Sequence, residues 1–271
     1  MSTLTAGIDV GSTYTKAALL DESGTLVATA MVSTGFRLEV AAEQAFEALR
    51  RHAGVSAADV AYVVSTGAGR YQVPFRDLHA TDLTAQGRGT RYFFPGTRTV
   101  LDVGGQTMKA SRLDDRGRVA AFRLNDKCAA GTGAFLEKTA RYLGFGTEQI
   151  GAVAAASADA AQISGVCAVF AESEVINHVS SGRAPGEILH GAVVSLVARS
   201  VQLMKRVRLE PEVTLVGGIM RFPTMVRVLH EELGQEVNVP PEPLQQFTAA
   251  IGAAVLGQQR LAKRAAEHAA A

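Results

Sequence analysis

The sequence predicts an α/β protein built from two similar halves. Three observations carry this: a long ungapped internal match, helical apolar spacing between and after the two copies, and a further buried strand that ends in paired glycines. The first copy runs Ile8-Asp-Val-Gly-Ser-Thr-Tyr-Thr-Lys-Ala-Ala-Leu-Leu-Asp-Glu-Ser-Gly24 and the second Leu101-Asp-Val-Gly-Gly-Gln-Thr-Met-Lys-Ala-Ser-Arg-Leu-Asp-Asp-Arg-Gly117. Asp9 falls on Asp102, Gly11 on Gly104, Lys16 on Lys109, Asp21 on Asp114 and Gly24 on Gly117 at one constant offset. A single long match indicates duplication into two lobes, because a solenoid needs three or more shorter periods.

Each copy reads as an apolar strand, a tight glycine turn, a second strand and an Asp-x-x-Gly turn into a third strand, that is, a β-meander. The spacing is wrong for a P-loop, and no Gly-x-Gly-x-x-Gly follows either strand. Helical periodicity marks Val40–Ala53, Ala134–Leu143, Ala168–Val179 and His190–Arg206. The last apolar segment, Ala249–Ala262, is expected to return to the first half, giving a first lobe of residues 1–96 with 247–271 and a second of 97–246.

Composition narrows the function. The chain has 271 residues, 47% hydrophobic and 20% charged, with net charge +1, which suits buried cores and lacks the basic footprint of a nucleic-acid binder. Its apolar runs fall short of the roughly 18–20 residues of a membrane span, and no basic-then-apolar leader is evident, so a cytoplasmic protein is expected, with neither nucleic acid nor membrane as partner. Two cysteines, Cys128 and Cys167, are too few for a disulfide framework.

Two Asp-Val-Gly turns facing one another across a cleft could present glycine-freed amides to phosphate oxygens. Gly11, Ser12 and Thr13 in the first turn and Gly104, Gly105 and Gln106 in the second are the candidates. The carboxylates of Asp9 and Asp102 would repel a polyphosphate unless a Mg2+ with its waters lay between them, and Asp102 or Gln106 could orient an attacking water. Read alone, Asp-x-Gly is only a turn signature; its duplication favours the phosphate reading. Lys16 and Lys109, each seven residues past the aspartate, could equally be surface charges. Val213-Thr-Leu-Val-Gly-Gly-Ile-Met220 adds a buried strand ending in Gly217-Gly218, a shape that suits an adenosine pocket. With these three elements in this order, the chain resembles the acetate kinase, sugar kinase, Hsp70 and actin superfamily, of ribonuclease H-like fold. The resemblance implies ATP or ADP at Gly11, Ser12, Thr13, Gly104, Gly105, Gly217 and Gly218, with Asp9 and Asp102 near the metal.

Each cysteine precedes a helical run, where unpaired amides and the helix dipole favour a thiolate or a bound anion. A cubane iron–sulfur cluster takes four thiolates and this chain offers two, so two chains would complete the set; buried inert thiols are the alternative. The stretches Asn125-Asp-Lys-Cys-Ala-Ala-Gly-Thr-Gly133 and Val166-Cys-Ala-Val-Phe-Ala-Glu-Ser-Glu-Val-Ile176 resemble the BadF/BadG/BcrA/BcrD ATPases, which include 2-hydroxyacyl-CoA dehydratase activators and ATP-binding subunits of benzoyl-CoA reductase. That resemblance implies a [4Fe-4S] cluster held by Cys128 and Cys167 with a related ATPase subunit, ferredoxin as electron donor, acyl-CoA-reducing subunits as acceptors, and ATP hydrolysis coupled to delivery of a low-potential electron; a change in the angle between lobes that shifts the cluster helices is the hypothesis for that coupling. Gly104-Gly-Gln-Thr-Met-Lys109 looks like the D-type reductase subunit, whereas many activators resemble Gly-Gly-Gln-Asp there, so benzoyl-CoA reduction is the expected system. An activator, a small-molecule kinase and an actin-type assembly protein are the alternatives. Glu172 and Glu174 are equally readable as relays of motion or as charges complementing a helix dipole.

Overall fold

The protein is described from a computed structural model, which covers residues 3–125, 131–164 and 168–269. The chain forms two compact units, Met1–Gly96 with Asp114–Val119 and Gln246–Ala271, and Thr97–Leu113 with Ala120–Gln245.

In the first unit, β1 (Leu4–Val10), β2 (Tyr14–Leu20), β3 (Leu26–Ser33), β4 (Val60–Thr66) and β5 (Leu78–His79) form a sheet of order β3-β2-β1-β4-β5. The first three strands are an antiparallel meander, and β4 and β5 join parallel to β1. Every residue of β1 is buried, as expected of a central strand covered on both faces. Helix α1 (Leu38–Ala53) covers the sheet with Ala41, Ala42, Ala45 and Leu49, and ends at Gly54 in the left-handed region, φ 68°. Helices α2 (Asp82–Phe93) and α8 (Thr248–Ala269) pack together, with α8 also against β1 and β4. Tyr62, Val64, Ala85 and Ala253 pack between them, and at three glycines the backbones themselves come close. A Cβ on Gly7 would fall 1.9 Å from the Ala250 carbonyl oxygen, one on Gly89 1.8 Å from that of Thr248, and one on Gly252 1.7 Å from that of Ala85.

The second unit repeats this plan. β6 (Thr99–Val103), β7 (Met108–Leu113), β8 (Val119–Asn125), β9 (Val213–Val216) and β10 (Val237–Asn238) have the order β10-β9-β6-β7-β8, with β9 parallel to β6 and β10 parallel to β9. Read from the meander edge, the two sheets have the same sequence of strands. The helices of this unit are α3 (Gly133–Tyr142), α4 (Ile150–Ala155), α5 (Ala168–Ser180), α6 (Pro185–Lys205) and α7 (Pro223–Leu233). Helix α6 opens with proline at its first position, which suits the absent intrahelical donor there, and buries Ile188, Leu189, Ala192, Leu196 and Met204 in one large core.

The duplicated Asp-x-x-Gly turns are alike in detail. Asp21 accepts from the amides of Ser23 and Thr25, Asp114 from those of Arg116 and Arg118, and Gly24 and Gly117 follow with positive φ. The Ser23 hydroxyl and then the Thr25 amide hold the Asp21 carboxyl below the usual range; the Arg118 amide and then its guanidinium do the same for Asp114.

Candidate functional site

In the first unit, Asp9 stands one residue before the end of β1, and Gly11, Ser12 and Thr13 carry the chain into β2. Register sets Asp9 opposite Lys16, whose Nζ lies 3.1 Å from Asp9 Oδ2. The second unit does the same: Asp102 is opposite Lys109, with Nζ 3.4 Å from Oδ2, and the turn closes with the Gly104 amide donating to the Thr107 carbonyl at 2.9 Å. Both aspartates are largely covered, whereas Ser12, Thr13 and Gln106 are exposed on the turns. The last cross-strand pairs, Val10–Thr15 and Val103–Met108, each enclose four residues, so residues seven apart face one another and in each copy the lysine is the cross-strand partner of its aspartate.

Gly217 and Gly218 follow β9, which lies beside β6. Gly217 has φ 99°, its amide donates to the Gln245 carbonyl at 2.9 Å, and a Cβ there would sit 2.5 Å from Asp102 Oδ1 and 2.4 Å from the Val103 carbonyl oxygen. The first unit holds a counterpart that sequence reading missed. Gly67, directly after β4, has φ 87°, and a Cβ there would sit 2.5 Å from both Asp9 Oδ1 and the Val10 carbonyl oxygen. Only glycine allows the backbone this close to the carboxylate at positive φ. The signal was present as Val63-Val64-Ser65-Thr66-Gly67, an apolar strand ending in glycine like Thr214-Leu215-Val216-Gly217.

The second turn is attached to α3. The amide of Gly133 donates to the Gly104 carbonyl at 2.9 Å and that of Ala134 to the Gly105 carbonyl at 2.8 Å. Ile219, next to Gly218, occupies the space where a Gly133 side chain would be, with its Cδ1 2.6 Å from the Cβ position. Cys128 and Cys167 lie outside the described residues. Among the described residues, no three His, Cys, Asp or Glu side chains gather as a metal site.

The two glutamates of α5 have separate partners. Glu172 Oε1 accepts from Lys138 Nζ of α3 at 2.6 Å, and this bond holds the Lys138 ammonium above the ordinary lysine range. Glu174 accepts from the Ser164 amide, and His178 Nε2 donates to the Gln162 carbonyl at 2.9 Å. Neither glutamate is merely a solvated dipole charge.

A profile of the BadF/BadG/BcrA/BcrD ATPase family matches residues 6–257. The chain belongs to this family. The ATPase is 37% identical to the 2-hydroxyisocaproyl-CoA dehydratase activator of Clostridioides difficile, over 93% of each chain. It is 35% identical to the D-type subunit of the benzoyl-CoA reductase of Thauera aromatica, over 97% of this chain and 96% of that one. Its fold superposes on component A of the Acidaminococcus fermentans (R)-2-hydroxyglutaryl-CoA dehydratase with TM-score 0.91, at 33% identity, covering 96% of this chain and all of that one. The Clostridium difficile activator with bound ADPNP superposes with TM-score 0.90, at 35% identity and 98% coverage of both. The architecture is the two-lobe α/β fold of actin-like and sugar-kinase-like ATPases. These similarities support an ATPase of the activator kind and do not single out benzoyl-CoA reduction. No helix among the described residues is long and apolar enough to cross a membrane.

Proposed function

We infer that this ATPase hydrolyses ATP to drive an electron into a partner acyl-CoA enzyme, in the manner of a 2-hydroxyacyl-CoA dehydratase activator. The observation that carries the reading is the attachment of the Gly104–Gly105 turn to the start of α3, the helix that follows Cys128 in sequence. A turn that holds phosphate and a segment that holds a redox group would thereby share two backbone hydrogen bonds.

In this reading Gly11, Ser12, Thr13, Gly104 and Gly105 contact the phosphates, Gly217 and Gly218 the adenosine, and Asp9 and Asp102 the waters of a Mg2+. Gln106, exposed on its turn, orients the attacking water, with Asp102 as the other candidate. Lys16 and Lys109 hold each carboxylate in place from the neighbouring strand. Gly67 joins the set, because it lets the chain pass against Asp9 as Gly217 does against Asp102. Cys128 and Cys167 are the thiolates for half of a [4Fe-4S] cluster, a related ATPase subunit supplying the rest, and the donor set of two thiols per chain fits that sharing. Such a cluster supplies one-electron transfer at low potential, with ferredoxin as the electron source.

Thr107 favours a second reading, the D-type subunit of benzoyl-CoA reductase, because an acidic residue at this place is what the activator pattern carries. The test is oxygen-free reconstitution with ATP, a low-potential reductant and either a 2-hydroxyacyl-CoA dehydratase or the acyl-CoA-reducing subunits of a benzoyl-CoA reductase. ATP-dependent turnover with the dehydratase is the expected result. Turnover with the reductase subunits alone would establish the second reading, and phosphorylation of a small-molecule hydroxyl without electron transfer would replace both with a kinase.

A further inference from the structure

The two helices that follow the cysteine segments are not independent. Lys138 of α3 and Glu172 of α5 meet at 2.6 Å, and the Lys138 ammonium also lies 5.9 Å from the Tyr142 ring centroid, which holds it along its own helix. Lys138 is half exposed and Glu172 keeps a quarter of its side chain exposed, so the pair lies at the surface. At the other end, α3 hangs from the Gly104–Gly105 turn through the Gly133 and Ala134 amides. Helix α5 in turn carries the segment that enters it: Glu174 accepts from the Ser164 amide and His178 donates to the Gln162 carbonyl. The connected path therefore runs from the turn to α3, across one ion pair to α5, and back to the residues leading to Cys167.

We propose that Lys138 and Glu172 are a positioning pair that makes α5 follow α3 when nucleotide occupies the Gly104–Gly105 turn, so that both cysteine segments respond together. The proposal rests on the nucleotide reading of that turn, but needs no cluster to be present. An isolated surface ion pair contributes little to stability, so its value here is directional: it selects one relative placement of two packed helices.

The test is amide hydrogen exchange of peptides covering α3 (133–142) and α5 (168–180), in iron-free protein in Mg2+-containing buffer, with and without a non-hydrolysable ATP analogue, whose binding is measured separately by calorimetry. In the unaltered protein both helices should change exchange rate on binding, by at least about threefold, as sub-global opening responds to ligand. In Glu172→Gln and in Lys138→Met the α3 response should persist, because its bonds to the turn are intact, while the α5 response falls to within experimental error of none. The reversed pair, Lys138→Glu with Glu172→Lys, should restore the α5 response. A purely structural role would alter basal exchange equally in both states and would not be rescued by reversal. An α5 response that survives Glu172→Gln, or binding heat with no response in either helix, overturns the proposal alone. Absence of binding heat overturns both the proposal and the nucleotide reading on which it rests.

Discussion

Replacing Gly67 with alanine separates backbone strain from crowding at the carboxylate, because the same unit contains a control. Gly54 also has positive φ, 68°, but nothing lies within 4 Å of where its Cβ would be. Gly54→Ala should therefore cost only the left-handed penalty, about 1–2 kcal/mol. Gly67→Ala incurs that penalty and also drives a methyl to 2.5 Å from Asp9 Oδ1 and from the Val10 carbonyl oxygen. The carbonyl belongs to a strand end and cannot swing aside as a side-chain tip would, so overpacking adds about 1–3 kcal/mol. The expected total is about 2–5 kcal/mol, measured as the shift in urea midpoint at unchanged slope. Displacing Asp9 by about 1 Å should also lower ATP hydrolysis about 10²-fold, since misplacement of that size is enough. Gly67→Ala matching Gly54→Ala in stability, with hydrolysis unaffected, would refute the close approach and the role argued from it.

Asp9→Asn and Asp102→Asn should each cut ATP hydrolysis by at least about 10²-fold through loss of metal placement, with the Mg2+ dependence of the rate as the readout. Gly89→Ala pushes a methyl to 1.8 Å from the Thr248 carbonyl oxygen and should separate α2 from α8, destabilising the protein by more than about 3 kcal/mol in denaturant unfolding. Asp114→Asn should lower thermal stability at pH 7 and lose that effect in acid. The native carboxyl is held below the usual range, so its contribution is complete above the unfolded value of about 3.9 and disappears as pH falls through the lower native one. Melting curves at pH 7 and pH 3 check the sign.

Much of the fold was legible in the sequence because its repeat is ungapped and its punctuation strict. Apolar runs marked the strands of both meanders, and Gly11, Gly24, Gly104 and Gly117 marked their turns. Helix α2 was not legible. Gly87 and Gly89 each cost about 1 kcal/mol of helix propensity, and at Gly89 what offsets this is the backbone approach to α8, a partner more than 150 residues away in sequence. The phosphate turns and the Gly217–Gly218 element were readable as motifs. Gly67 was not, because its equivalence to Gly217 appears only when β4 and β9 are seen beside β1 and β6. Lys16 and Lys109 were ambiguous until strand register set them against their aspartates. The partners of Glu172 and Glu174 depend on how α3, α5 and the segment before Cys167 pack, and helical periodicity does not encode that.

Iron and acid-labile sulfide, measured together with ATP hydrolysis on protein purified without oxygen, decide whether this ATPase carries a shared cluster. Four iron and four sulfide are expected for each pair of ATPase subunits, the content of one shared cubane, with iron lost and nucleotide binding retained in Cys128→Ser. Iron-free protein that still hydrolyses ATP, or a Cys128→Ser variant that keeps its iron, would contradict the shared cluster.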